Sequence, residues 1–124
     1  MRDHKLVVAD DDRMLRLLLA ALLKEYEVLQ AIDGRSAVQL VEEELPDLLI
    51  LDRSMPDMDG LAVLRAIRAS AAAAKTRVVI LSAFDAPQDA QQGIAAGADA
   101  YLSKSELTTK LPELVKRLLA ATDE

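Results

Sequence analysis

Five times along this 124-residue chain a short apolar run gives way to a longer amphipathic segment. The runs cover residues 6–9, 27–31, 48–51 and 78–81, with a short fifth at Tyr101-Leu102 that starts near Asp99. Leu48-Leu49-Ile50-Leu51 and Val78-Val79-Ile80-Leu81 have no polar residue in alternation, the pattern of strands buried on both faces. The segments between them predict helices over about 13–24, 36–44, 61–74 and 109–121, and a further one opened by Asp85-Ala86-Pro87 and closed by Gly97. Proline early and glycine late mark that last helix's two ends. Pro112 is tolerable in the first turn of the final helix, where no internal partner for its N–H exists. Five β–α pairs in succession imply an α/β domain, a parallel sheet with helices on both faces. No internal linker, low-complexity tract or repeat interrupts it, so residues 1–124 read as one domain.

Composition narrows the chemistry. Cysteine is absent and His4 is the single histidine, which excludes disulfides, thiolate sites, histidine-based triads and multi-histidine zinc sites. His4 lies in the charged stretch Arg2-Asp3-His4-Lys5 and reads as a solvated terminal side chain. Fifteen basic residues against 21 acidic ones give a net charge of −6, which disfavours direct nucleic-acid binding. With no tryptophan, one phenylalanine and two tyrosines, the core must be built from Leu, Val, Ile and Ala. No signal peptide opens the sequence, and no apolar stretch approaches the ~20 residues of a membrane helix. A cytoplasmic protein that does not engage a membrane is the expectation.

Sites in open parallel sheets lie beyond the carboxyl ends of the strands, where the strand order reverses. The residues there are Asp10, Asp11 and Asp12 after the first strand, Asp52 after the third, Ser82 after the fourth and Lys104 after the fifth. Asp12 is expected to cap the following helix. Carboxylates ~4 Å apart repel by about 4 kcal/mol per pair at an effective dielectric of 20. A cluster of them therefore requires a proton or a cation. Oxygen donors without His or Cys suit a hard ion such as Mg²⁺. One cation, one ammonium and one hydroxyl around a carboxylate suit phosphoryl transfer. Ala83, beside Ser82, is small enough to leave room for a phosphoryl group.

Asp10-Asp11, Asp52 with Met55-Pro56-Asp57-Met58-Asp59-Gly60, Ser82-Ala83, Gly97-Ala98-Asp99 and Tyr101-Leu102-Ser103-Lys104 together resemble the receiver domain of bacterial two-component response regulators. The resemblance spans essentially the whole chain, with five motifs in the family's order and spacing. It implies a doubly wound (βα)5 flavodoxin-like fold with a five-stranded parallel sheet of order 2-1-3-4-5. Asp52 would be the phosphoacceptor for a sensor histidine kinase or a histidine phosphotransfer protein. Asp10, Asp11, Asp52 and the Ser54 backbone carbonyl would hold Mg²⁺ or Mn²⁺. Ser82, Ala83 and Lys104 would bind the phosphoryl group. Tyr101 would rotate as Ser82 moves inward, remodelling the face made by the fourth helix, fifth strand and fifth helix for a downstream protein target or a fused output domain. The domain would promote its own phosphorylation and dephosphorylation without being a turnover enzyme.

The sequence departs from the family pattern at Ser105, where proline commonly follows the lysine. A cis bond to a non-proline residue costs about 2.5–4 kcal/mol, so a trans Lys104–Ser105 peptide or an altered loop is expected. The apolar Phe84 cannot position an attacking water, and slow self-dephosphorylation follows as an expectation. Arg53, directly after the acceptor, is a second unusual neighbour. Three rival readings differ in what they require. A degenerate receiver that binds partners without phosphate needs a broken acidic site. A haloacid dehalogenase-type phosphatase would use Asp10 and Asp12 but wants a later acidic pair where Ser82-Ala83-Phe84-Asp85 stands. A flavin binder needs a neutral phosphate loop where three aspartates stand.

Overall fold

A computed structural model describes residues 4–83 and 87–122. The elements run β1 (Lys5–Ala9), α1 (Arg13–Leu22), β2 (Glu27–Ala31), α2 (Gly34–Glu44), β3 (Leu48–Asp52), α3 (Gly60–Ala69), β4 (Arg77–Ser82), α4 (Pro87–Ala95), β5 (Ala100–Ser103), a 3₁₀ turn (Lys104–Glu106) and α5 (Leu107–Thr122). All strand pairs are parallel, in the order β2-β1-β3-β4-β5. The doubly wound fold implied by the sequence is the one observed.

Period-two alternation splits the core between the two sheet faces. Val7, Ala9, Leu49, Leu51, Val78 and Ile80 pack with Ala37 and Val41 of α2 and Val63, Leu64 and Ile67 of α3. Leu6, Val8, Leu48, Ile50, Val79 and Leu81 pack with Leu19 of α1 and Leu111, Val115 and Leu119 of α5. Each of the central strands β1 and β3 is thus covered on both sides, which is why their sequences carry no polar alternation.

Helix boundaries depart from the periodic pattern where side chains intervene. The α2 helix begins at Gly34, two residues early, because Asp33 is the cap: its carboxylate accepts from Ser36 N at 2.8 Å while the Ser36 hydroxyl takes the Asp33 N–H at 3.3 Å. Ser36 is therefore the capping-box partner and not the first helical residue. The α3 helix stops at Ala69, although the alanines beyond it favour helix. The Arg68 guanidinium takes the carbonyls of Ala74 and Thr76 and turns the chain back toward β4. The 3₁₀ turn feeds directly into α5, so Pro112 lies in that helix's second turn and not its first. Buried Leu107 anchors the earlier start. The missing Pro112 N–H removes the bond it would make to the carbonyl of Thr108, an exposed residue. No cis peptide occurs among the described residues, as expected for Lys104–Ser105. His4 is half-buried, edge-on to Tyr26 at 6.2 Å between ring centroids, not a freely solvated side chain.

Candidate functional site

The order reversal of the sheet falls between β1 and β3, and there the acidic residues meet. Asp10 continues β1, its N–H donating to Ala31 O at 3.2 Å, and Asp52 closes β3. Both are almost fully buried, at 1% and 3% exposure. Asp11 is exposed at the rim. Carboxylate oxygens of Asp10, Asp11 and Asp52 all lie within 4.8 Å of one another. Asp12 is turned away to cap α1, accepting from Met14 N at 3.0 Å.

Lys104 enters from the end of β5. Its ammonium stands 3.2 Å from Asp52 Oδ1 and 3.5 Å from Asp10 Oδ2. Ser54 N donates to the same Asp52 Oδ1 at 3.1 Å, and Asp12 N donates to Asp10 Oδ1 at 2.8 Å. One ammonium faces three carboxylates, so the site carries excess negative charge. At the observed spacing each like pair repels by about 3 kcal/mol at an effective dielectric of 20. Burial, with the Asp52 and Asp11 charges, pushes the Asp10 carboxyl up to about 6, against the opposing pull of the Asp12 N–H and Lys104. Partial burial works against the Lys104 charge, but Asp52 and Asp10 outweigh it and raise the pKa of its ammonium above the ordinary value.

Asp10 Oδ2 is buried, and its cationic neighbour, the Lys104 ammonium at 3.5 Å, is too far for a good hydrogen bond. A buried anionic oxygen with only one long ion pair, inside a cluster of carboxylates with no His or Cys, fits a hard divalent cation.

The other expected residues lie at the end of β4, just after it, and on β5. Ser82 ends β4, is 1% exposed and pairs in register with Ser103, the residue before Lys104. Exposed Ala83 follows it. Phe84 lies outside the described residues. Tyr101 is half-buried, packed against the apolar core on the α2–α3 side, with its ring edge over Gly93 of α4. A β-carbon added to Gly93 would sit 3.2 Å from that ring.

The profile of the family described as response regulator receiver domain matches residues 6–116. The chain belongs to the response regulator receiver domain family. The receiver is 36% identical over 92% of its length to the gliding motility regulatory protein of Myxococcus xanthus, and 40% identical over 80% to response regulator PleD of Caulobacter vibrioides. It spans only 15% and 22% of those two proteins. Its fold superposes on the receiver domain of a Francisella response regulator with a TM-score of 0.89 at 30% identity, covering 97% of this chain and 99% of that one. Receivers of this family are signal-transduction modules and not classical enzymes, working with histidine kinases and output targets, and they bind Mg²⁺ in an acidic pocket. No helix among the described residues is long and apolar enough to cross a membrane.

Three supporting contacts were not foreseen, two beside the receiver site and one at the opposite, amino ends of β4 and β5. Asp57 reaches from the β3–α3 loop to α2, accepting from Gly34 N at 2.8 Å and Arg35 N at 2.9 Å. The Arg53 guanidinium bonds Gln92 of α4 at 2.9 Å. Arg68 donates to Gly97 O and to the Asp99 carboxylate, which also accepts from Val78 N and Arg77. Gly97 itself has φ 110, a conformation that favours glycine. This last tie gives the Gly97-Ala98-Asp99 motif a physical basis: it fixes the entry to β5 and so the position of Lys104 beyond it.

Proposed function

We propose that this receiver accepts a phosphoryl group on Asp52 from a phosphohistidine, in a divalent-ion-dependent reaction, and reports it through the α4–β5–α5 face. The observation that carries the reading is the combination of three convergent carboxylates, a buried and under-bonded oxygen on Asp10 and an ammonium 3.2 Å from Asp52. Lys104 and Ser54 N engage Asp52 Oδ1, which leaves Oδ2 to attack phosphorus. The O–P bond forms as the P–N bond to the donor imidazole breaks, and the imidazole leaves with that bonding pair. Lys104 neutralises the phosphoryl oxygens and the Ser82 hydroxyl donates to one of them. Ala83 leaves space for the group. Mg²⁺ or Mn²⁺, held by Asp10, Asp11, Asp52 and the Ser54 carbonyl, supplies positive charge against the carboxylates and the phosphoryl oxygens when bound.

The donor is a sensor histidine kinase or a histidine phosphotransfer protein, and the reader is a downstream protein or a fused output domain. Residues 1–124 acting as one receiver unit, and a cytoplasmic location, belong to the same proposal. Tyr101, packed on Gly93 of α4, is the side chain through which a change at Ser82 reaches the output face. Slow self-dephosphorylation with Phe84 is part of this reading. The phosphatase alternative is disfavoured because Asp12, its required acid, is occupied as the α1 cap.

Incubation with acetyl phosphate and Mg²⁺, followed by intact-mass measurement, tests the reading. The unaltered chain should gain one phosphoryl group, and Asp52→Asn should gain none. Equal incorporation by both would refute the assignment of Asp52.

A further inference from the structure

The loop between β3 and α3, residues 53–59, carries Ser54 past the acidic cluster. Its base is fixed by the main chain: Arg53 N donates to Leu81 O and Gly60 N to Arg53 O, each at 2.8 Å. Ser54 and Asp59 face each other across an antiparallel bridge, and Asp59 caps α3 through Leu61 N at 3.0 Å. None of these contacts restrains the tip of the loop. Asp57 does, using both carboxylate oxygens on successive N–H groups of a different helix, 22 and 23 residues away in sequence.

Asp57 is exposed, so water could satisfy its carboxylate as well as these amides do. The bonds therefore matter for position more than for desolvation. A second observation supports a close fit between loop and helix. A β-carbon on Gly34 would come within 2.6 Å of Met58 Cβ, so only glycine lets α2 approach the loop this nearly. Pro56, with φ fixed by its ring, separates buried Met55 from Asp57 and limits how far the tip can move without moving Ser54.

We propose that Asp57 is a positioning residue for the divalent-ion site, tying the loop tip to α2 so that the Ser54 backbone stays aligned with Asp52. This rests on the reading of the acidic cluster as a divalent-ion site. Outer contacts that orient a ligand group commonly change metal affinity by about 10–100-fold. Asp57 acts on Ser54 through the two intervening residues Met55 and Pro56, and a loss of about 3–10-fold is expected.

The structural alternative is that Asp57 only stabilises the amino end of α2. Asp33 separates the two, because its carboxylate caps the same helix end through Ser36 N, with no hydrogen bond to the loop. Mg²⁺ is titrated by calorimetry into the unaltered chain, Asp57→Ala, Asp57→Asn and Asp33→Ala, with thermal melts confirming that each is folded. Amide exchange at Ser54 is followed by NMR without metal. Asp57→Ala should bind Mg²⁺ about 3–10-fold more weakly, and its Ser54 amide should exchange faster. Asp57→Asn, retaining one accepting oxygen, should fall between. Asp33→Ala should melt earlier yet keep the affinity and the Ser54 exchange of the unaltered chain. Unchanged affinity in Asp57→Ala, or an equal loss in Asp33→Ala, overturns the inference alone. Failure of the unaltered chain to bind Mg²⁺ overturns the divalent-ion reading and the inference with it.

Discussion

Asp10 is held where its charge is least welcome, almost completely buried and beside two further carboxylates. Its pKa is raised from 3.8 to about 6, so the folded chain binds this proton more tightly than the unfolded chain does. The metal-free receiver should therefore lose stability through this group as pH rises from about 4 to 6, with the full cost present above 6. The upper bound is about 3 kcal/mol. Asp10→Asn, which keeps an oxygen for the Asp12 N–H, should raise the melting temperature of the metal-free chain at pH 7. Its advantage should vanish near pH 4. Melts across that range check the sign, and an advantage independent of pH would contradict it. Lys104 works the other way: its raised pKa contributes stability that is complete below 10.5 and lost only as alkaline pH deprotonates it.

At the scale of elements, the strands were legible because burial on both faces writes itself as uninterrupted apolar runs. Helix ends were less so, because they depend on side chains that act across the fold. Nothing in the alanines after Ala69 announces that Arg68 will collect the carbonyls of Ala74 and Thr76. Pro112 was placed one turn too near the helix start because the sequence gives no sign that the 3₁₀ turn at Lys104 continues into α5. The carboxyl end of α2 holds another hidden feature. Leu45 adopts φ 47 and ψ 58, the left-handed region, immediately before Pro46. A side chain there costs about 1–2 kcal/mol, and Leu45 is 53% exposed, so it recovers little by burial. Leu45→Gly should stabilise the receiver by about 1 kcal/mol after allowing for glycine's extra chain entropy. Urea denaturation measures it, and a lower midpoint would show that Leu45 packs usefully.

For the whole molecule, the sheet is the device that brings Asp10, Asp52 and Lys104, distant in sequence, into one cluster. The convergence of Asp10, Asp52 and Lys104 could be read from the sequence because each ends or follows a strand, and parallel strands deliver their carboxyl ends to one edge. Asp57, Arg53 and Arg68 could not, since their partners lie in other elements and each looks like an ordinary loop or surface residue. The electrostatic imbalance at that edge also predicts a response of the entire fold. If the cluster holds Mg²⁺ as proposed, the ion favours the folded chain over the unfolded one and should raise the melting temperature with a dependence on ion concentration. At 100 times the dissociation constant the gain is about 2.7 kcal/mol. Asp11→Ala and Asp52→Ala should each remove most of it, and a gain that survives both would place the ion elsewhere.

The central claim is that the clustered acids make Asp52 itself a phosphate carrier. Borohydride reduction of the phosphorylated chain, followed by peptide mass spectrometry, locates the acyl phosphate at residue resolution. Modification at Asp52 alone, abolished by chelating the divalent ion beforehand, is the predicted result. Modification at Asp10 or Asp11, or at Asp52 with the ion fully chelated, would contradict it.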